Sequence, residues 1–182
     1  YTGDNGYLRY EGSGMSAMPI PGNPGSYVAN ASEHDPIGDT THLPDRHVQM
    51  TERRFKKLNL LLDSTYEAQN TDASVVLMPW GGSKGSGFEA YQQLLADNMD
   101  IAWYYTMYLN PLSPKLLEEL RRKDLVLVPE LNYRGQFSSI LRSEAVMAES
   151  ITQYTGLPFS VSDLVERVLD RIAVLNKESL KI

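Results

Sequence analysis

Leu125-Val126-Leu127-Val128, followed by Glu130-Leu131-Asn132-Tyr133-Arg134-Gly135-Gln136, decides the fold of this chain. Four consecutive apolar residues suit a strand buried on both faces, and the polar loop behind them leads into a helix-like stretch. A loop so placed lies at the carboxyl end of its strand. In an open α/β sheet that edge is where ligands and partner chains meet loop backbone and helix N-termini. Val75-Val76-Leu77-Met78 runs into Trp80-Gly81-Gly82-Ser83-Lys84-Gly85-Ser86-Gly87 in the same way. If both strands are parallel, the two loops leave the sheet side by side.

A third apolar run, Ile101 to Tyr105, lies between these two, and helical patterns separate all three. Phe88, Tyr91 and Leu95 mark one helix. Ser113-Pro114 opens another, with a capping hydroxyl, a proline at the first helical position and Arg121, Arg122 and Lys123 in its last turn. Leu116, Leu117 and Leu120 form its buried face. A third helix runs from about Gly135 through Phe137, Ile140 and Leu141, and Ser150 to Tyr154 reads as a further strand. Leu164, Val165, Val168, Leu169 and Ile172 define a closing helix capped by Ser160 or Ser162. The alternation predicts a parallel β/α sheet.

Upstream the texture changes. Residues 1 to 45 hold seven of the thirteen glycines and five of the ten prolines, a density that punctuates regular structure. This segment reads as an ordered connector leaning on a neighbouring domain, with Tyr27-Val28-Ala29 as a short edge strand. Tyr7, Tyr10, Met15 and Met18 are its candidate apolar contacts. From Asp45, a candidate N-cap, Phe55, Leu58, Leu62 and Tyr66 recur at spacings of three and four and predict one face of a long helix. Arg53, Arg54, Lys56 and Lys57 read as a solvated helix face. The domain boundary is therefore drawn between a connector over 1–45 and an α/β domain over 46–182. Tyr1 in place of a starting Met reads as a fragment or a processed chain.

Composition excludes several kinds of chemistry. The chain has no cysteine, so it offers no disulfide, no thiol nucleophile and no ligand for an iron–sulfur cluster. Its formal charge of −6 over 182 residues argues against a sequence-independent nucleic-acid binder. No apolar run approaches the roughly 20 residues of a membrane span, and a cytoplasmic location is the expectation. His34 stands between Glu33 and Asp35 and resembles an oriented base, but neighbours in sequence seldom converge in space, and a turn ending at Pro36 is the preferred reading. His42 and His47 follow at spacings that suit no compact metal motif. No catalytic residue and no metal ligand is assigned.

Gly85-Ser86-Gly87-Phe88-Glu89-Ala90 matches a loose dinucleotide pattern of strand, glycine turn and helix start. It lacks the acidic residue that should close the second strand, where Tyr104, Tyr105, Thr106 and Met107 stand instead. Lys84 precedes Gly85, whereas a phosphate-loop lysine would follow the glycine. The cofactor-binding candidates are accordingly loop residues alone: Gly81, Gly82, Ser83, Lys84, Asn132, Arg134, Gly135 and Gln136. An autonomous nucleotide- or small-molecule-binding module built on the Gly81 to Gly87 loop is the alternative function.

Five stretches, read in order, resemble the C-terminal part of the alpha subunit of 2-oxoacid:ferredoxin oxidoreductases, including the 2-oxoglutarate and pyruvate enzymes. They are Pro19 to Gly22; Glu33-His34-Asp35-Pro36-Ile37-Gly38; His47 to Lys57; Trp80 to Ser83 with Asn132 to Gln136; and Thr152-Gln153-Tyr154-Thr155-Gly156-Leu157-Pro158-Phe159. The resemblance implies a three-layer α/β/α sandwich similar to the transketolase C-terminal domain, with one antiparallel edge strand. It implies a parent enzyme that makes acyl-CoA from a 2-oxoacid with thiamine diphosphate, Mg²⁺ and an iron–sulfur cluster, passing electrons to ferredoxin. The implied partners are a beta subunit, which carries the cluster cysteines, and another alpha subunit. The implied role of this chain is structural and subunit-docking, its loops walling the CoA and substrate entrance and Glu33, His34 and Asp35 joining the interface candidates. The thiamine-contacting domain is expected before residue 1.

Overall fold

The computed structural model describes residues 7–11, 15–23, 25, 26 and 32–179. Contacts divide the chain into two compact units between Leu62 and Asp63. The second unit carries the sheet. Its strands are β1 (Glu67–Gln69), β2 (Val75–Leu77), β3 (Ala102–Tyr105), β4 (Leu125–Glu130) and β5 (Ala148–Thr152), in the order β1-β3-β2-β4-β5. β2, β3, β4 and β5 pair in parallel, and β1 alone runs antiparallel, at the edge beside β3.

Side chains alternate across a strand, and here both faces are apolar. Val76, Met78, Tyr104, Val126 and Val128 point to one layer, where α3 (Pro114–Leu120) and α4 (Gln136–Ser143) supply Leu116, Leu120, Phe137 and Leu141. Val75, Leu77, Trp103, Leu125 and Leu127 point to the other, where α2 (Lys84–Ala96) and α5 (Val161–Ser179) supply Ala90, Tyr91, Leu94, Leu164, Val168 and Ile172. The result is a three-layer, mostly parallel α/β/α sandwich, as the resemblance implies, and its parallel core is the one that the three apolar runs predict. The central strands β2 and β4 are wholly buried because a helical layer covers each face, which is why their sequences show no polar alternation.

Several local expectations shift. In α2 the buried stripe is Gly87, Ala90, Tyr91 and Leu94, one position before the expected Leu95, which is partly exposed. β5 covers 148–152 rather than 150–154. Ser113 precedes α3, but its hydroxyl makes no cap bond; its backbone carbonyl accepts the Leu117 N–H at 3.0 Å. Arg121, Arg122 and Lys123 lie beyond the end of α3. Arg121 Nε donates to Glu144 O at 2.8 Å and Lys123 Nζ to Ala73 O at 2.8 Å, so they tie connections together instead of facing the helix's own carbonyls. Ser160 is the hydroxyl that caps α5, accepting the Asp163 N–H at 3.2 Å.

The first unit contains α1 (Pro44–Leu58) and a 3-10 turn, Asn59–Leu61. The expected boundary at 45/46 places this helix with the sheet, whereas its contacts group it with the preceding residues. Leu43 is the N-cap and Asp45 sits inside the first turn. Phe55 is exposed and Tyr66 falls outside the helix, so the expected apolar face does not form. Met50 and Arg53 are buried in its place, because the Arg53 guanidinium reaches Ser16 Oγ at 2.7 Å and the Arg9 and Glu11 carbonyls at 3.5 Å. The basic cluster is therefore not simply a solvated face. The Tyr27 to Ala29 strand lies outside the described residues.

Candidate functional site

β2 and β4 are adjacent and parallel, with Val75, Val76 and Leu77 opposite Leu125, Val126 and Leu127. Both following loops consequently leave the same edge. The Met78 N–H extends the pairing to Leu127 O at 2.8 Å.

The first loop is shorter than its sequence suggests. A 3-10 turn covers Gly81–Ser83 and α2 starts at Lys84, so Gly85 and Gly87 are helical residues and no glycine-rich phosphate cradle forms there. Gly87 has a packing reason: a Cβ at this position would stand 2.7 Å from Pro79 Cγ. Ser83, almost wholly buried, accepts the Trp80 N–H at 3.2 Å, and its Oγ lies 2.8 Å from Trp80 O and 3.0 Å from Pro129 O. It joins the first loop to the end of β4. Lys84 Nζ pairs with Glu67 Oε1 at 2.5 Å and sits 4.1 Å from the Tyr105 ring centre.

The second loop is built by two side chains. Glu130 is fully buried; its Oε2 accepts the Phe137 N–H at 2.8 Å and Asn132 Nδ2 at 2.9 Å, and its Oε1 accepts the Ser138 N–H at 3.0 Å. A carboxylate from the strand thus caps α4, where free N–H groups and the helix dipole favour an acceptor. Asn132 Oδ1 accepts the N–H groups of Gly135 at 2.8 Å, Arg134 at 3.1 Å and Gln136 at 3.3 Å. Gly135 takes φ +64°, and a Cβ there would meet Ser150 Oγ at 2.6 Å. No other residue satisfies both the conformation and the space.

Of the eight loop candidates, Ser83, Lys84, Asn132 and Gly135 are therefore engaged in holding the edge together. Gly81 and Gly82 face open space. Arg134 and Gln136 line a cleft of about 550 Å³ together with Trp80, Leu109, Phe137, Ser139 and Ile140. Trp80 and Phe137 meet there with ring centres 6.1 Å apart. Glu130 and Trp80, which stand within these loops, are not among the eight candidates. Their signal was available: a lone acid ending an apolar run, six residues before a helix start, is a cap supplied from a strand.

In the first unit, Glu33 receives both Arg54 nitrogens, at 3.0 and 2.9 Å, and His47 Nδ1 at 3.0 Å. The Arg54 guanidinium foremost, with further help from the His34 N–H and His47, holds its carboxyl well below the usual range, at about 2. His34 is buried and stacks on Tyr10, ring centres 4.4 Å apart, while Asp35 Oδ1 accepts the N–H groups of Ile37, Gly38 and Asp39, each at 3.0 Å. The three residues organise a turn. Tyr7 donates its hydroxyl to Ala17 O at 2.6 Å, and Met15 and Met18 are exposed. Among the described residues no group of three or more His, Asp or Glu is placed to hold a metal ion, and no helix is long and apolar enough to cross a membrane.

Fold and edge together define a mostly parallel α/β/α domain with a loop-built face at the carboxyl ends of its strands. Over most of its length, the chain is a relative of the alpha subunits of 2-oxoacid:ferredoxin oxidoreductases. It is 29% identical over 167 residues to 2-oxoacid:ferredoxin oxidoreductase 1, subunit alpha, of Aeropyrum pernix, covering 86% of this chain and 26% of that protein. It is 30% identical over 150 residues to the 2-oxoglutarate oxidoreductase subunit KorA of Mycobacterium tuberculosis, covering 80% and 23%. A 2-oxoglutarate:ferredoxin oxidoreductase from Magnetococcus marinus, solved with 2-oxoglutarate, coenzyme A and succinyl-CoA bound, matches with TM-score 0.76 and 31% identity over 94% of this chain and 32% of that one. No family model matches. The chain spans about a quarter of the length of the curated relatives it matches.

Proposed function

We propose that this chain is a domain of the alpha subunit of a 2-oxoacid:ferredoxin oxidoreductase, working in the cytoplasm, in which a 2-oxoacid, CoA and two oxidised ferredoxins give acyl-CoA, CO₂, two reduced ferredoxins and a proton. Its own role is structural and subunit-docking. The observation that carries this reading is the match to the Magnetococcus marinus enzyme across nearly the whole chain. The site chemistry is consistent with it. A chain without cysteine does not fit as the holder of an iron–sulfur cluster, so the electron-carrying steps are assigned to a beta subunit. Thiamine diphosphate and Mg²⁺ are assigned to the preceding domain and the beta subunit. The polar side chains at the sheet edge mainly build their own loops, which leaves Arg134 and Gln136 as the groups that face the CoA and substrate entrance.

The test is reconstitution. The alpha subunit carrying this domain, assembled with its beta subunit, another alpha subunit and thiamine diphosphate, is expected to reduce ferredoxin only when both a 2-oxoacid and CoA are present. The 182-residue chain alone is expected to be silent. Turnover by the chain alone, with other subunits excluded by mass spectrometry, overturns the assignment, as does an assembled complex inactive toward every 2-oxoacid tried.

A further inference from the structure

The last turns of α1 gather positive charge. Arg53 is buried, its guanidinium fixed on Ser16 Oγ at 2.7 Å, and Arg54 is fixed on Glu33 through two nitrogens at 3.0 and 2.9 Å. Lys57 follows them by four and three positions, which on a helix puts its side chain beside both. Arg9, from the segment before α1, adds a third guanidinium to this neighbourhood. Glu33 is taken by Arg54 and His47, and among the described residues no carboxylate pairs with the Lys57 ammonium.

A lysine at a helix C-terminus suits the helix dipole, and Lys56, adjacent in sequence and exposed, is such a residue. Lys57 differs from it. It is partly buried, and burial foremost, then the charges of Arg53, Arg9 and Arg54, holds its ammonium below the ordinary lysine range. At about pH 7.5 roughly one ordinary lysine in a thousand carries a free amine, and a fall in pKa raises that fraction. Desolvation beside other cations is a way in which proteins make a lysine nucleophilic. The same three guanidinia attract an anionic reagent to the amine they activate.

We propose that Lys57 is an acylation site for acyl-CoA, the product class of the parent reaction, with Arg9, Arg53 and Arg54 drawing the phosphates of the donor toward the free amine. The choice of donor rests on the reading of the parent enzyme above; the reactivity of the amine does not. The nitrogen attacks the thioester carbonyl carbon, a C–N bond forms as the C–S bond breaks, and the proton lost by nitrogen leaves with the CoA thiol, so no oxidant or further reactant is needed. The resulting amide removes one positive charge from among its three arginine neighbours. A dicarboxylic acyl group goes further, because it sets a carboxylate near those guanidinia, and a succinyl donor is therefore favoured over an acetyl one.

The experiment uses the full alpha subunit assembled with its beta subunit, with acylated lysines quantified by mass spectrometry after digestion. Under trace acetic anhydride at about pH 7.5, Lys57 is expected to react about threefold or more faster than Lys56. Arg9→Gln, and separately Arg54→Gln, which releases Glu33, should each slow Lys57 by about twofold or more and leave Lys56 unchanged, with circular dichroism confirming the fold of each. Succinyl-CoA should acylate Lys57 ahead of Lys56, and acetyl-CoA should do so more slowly. An acetyl thioester of N-acetylcysteamine, which has no phosphates, should show a smaller preference for Lys57. A Lys57 that reacts no faster than Lys56, whether through ordinary basicity or through cover by the rest of the subunit, overturns the proposal, as does a Lys57 that takes the anhydride but not acyl-CoA. A complex that makes no acyl-CoA overturns the reading of the parent enzyme, while the anhydride and succinyl-CoA results for Lys57 still stand.

Discussion

Replacing Glu130 should do more damage to this domain than any other single polar change. Its carboxylate accepts three hydrogen bonds in a fully buried position, two from the first N–H groups of α4 and one from Asn132. Glu130→Ala strands both backbone donors at a helix N-terminus and frees the amide that organises the loop. Hydrogen bonds to a charged acceptor contribute about 1.5 to 3 kcal/mol each, and they do not add when one loop relaxes as a unit, so the expected loss is about 3 to 5 kcal/mol. For a chain of this size that is a fall in melting temperature of about 6 to 20 °C. Glu130→Gln keeps the shape but turns one acceptor into a donor facing a donor, and should cost about 1 to 2 kcal/mol. The assay is urea unfolding followed by tryptophan fluorescence. Both tryptophans, Trp80 and Trp103, lie in the sheet unit, so the signal reports that unit alone. A Glu130→Ala protein within about 0.5 kcal/mol of the parent would refute the claim that this carboxylate holds the loop and helix together.

Gly87→Ala should destabilise by about 1 to 3 kcal/mol through its clash with Pro79, while Gly85→Ala, in open space within the same helix, should be neutral or stabilising by up to about 1 kcal/mol; paired melts decide. Glu33 has a folded pKa of about 2 against an ordinary 4.5, so its contribution to stability is complete above 4.5 and is lost as the pH falls toward 2. NMR titration of Glu33 should show that low midpoint, and Arg54→Gln should raise it. Burial first, and then the Glu119 carboxylate that accepts both hydroxyls, at 2.6 and 3.0 Å, push the Tyr66 and Tyr104 phenols above their usual range. Folded pKa values above the unfolded ones favour the native state until the pH rises past the ordinary phenol value of about 10, beyond which stability should decline. Ultraviolet titration of Glu119→Gln should show both phenols ionising earlier than in the parent.

The sheet was legible because its strands are buried on both faces, so Val75 to Met78, Ile101 to Tyr105 and Leu125 to Val128 stand out without any knowledge of their neighbours. The pairing of the two loops followed from strand direction alone. α1 was misread because its buried side is held by Arg53, a charged residue whose partners are backbone and hydroxyl oxygens far away in sequence. Periodicity counts apolar residues and does not register such a contact. The glycine pattern after β2 misled for a related reason: a glycine required by a nearby proline looks identical in sequence to one required by a phosphate. Of the candidate site, the loops were legible and the division of labour within them was not, since which polar groups remain available depends on bonds such as those of Asn132 and Ser83.

Ser83 has one hydroxyl proton and two carbonyls in reach, Trp80 O in its own turn and Pro129 O on the neighbouring strand. Pointed at Pro129, the proton ties the first turn to β4; pointed at Trp80, it closes the turn on itself. One buried hydroxyl thus serves either the first turn or the neighbouring strand with its single proton, and Ser83→Ala leaves both carbonyls without it.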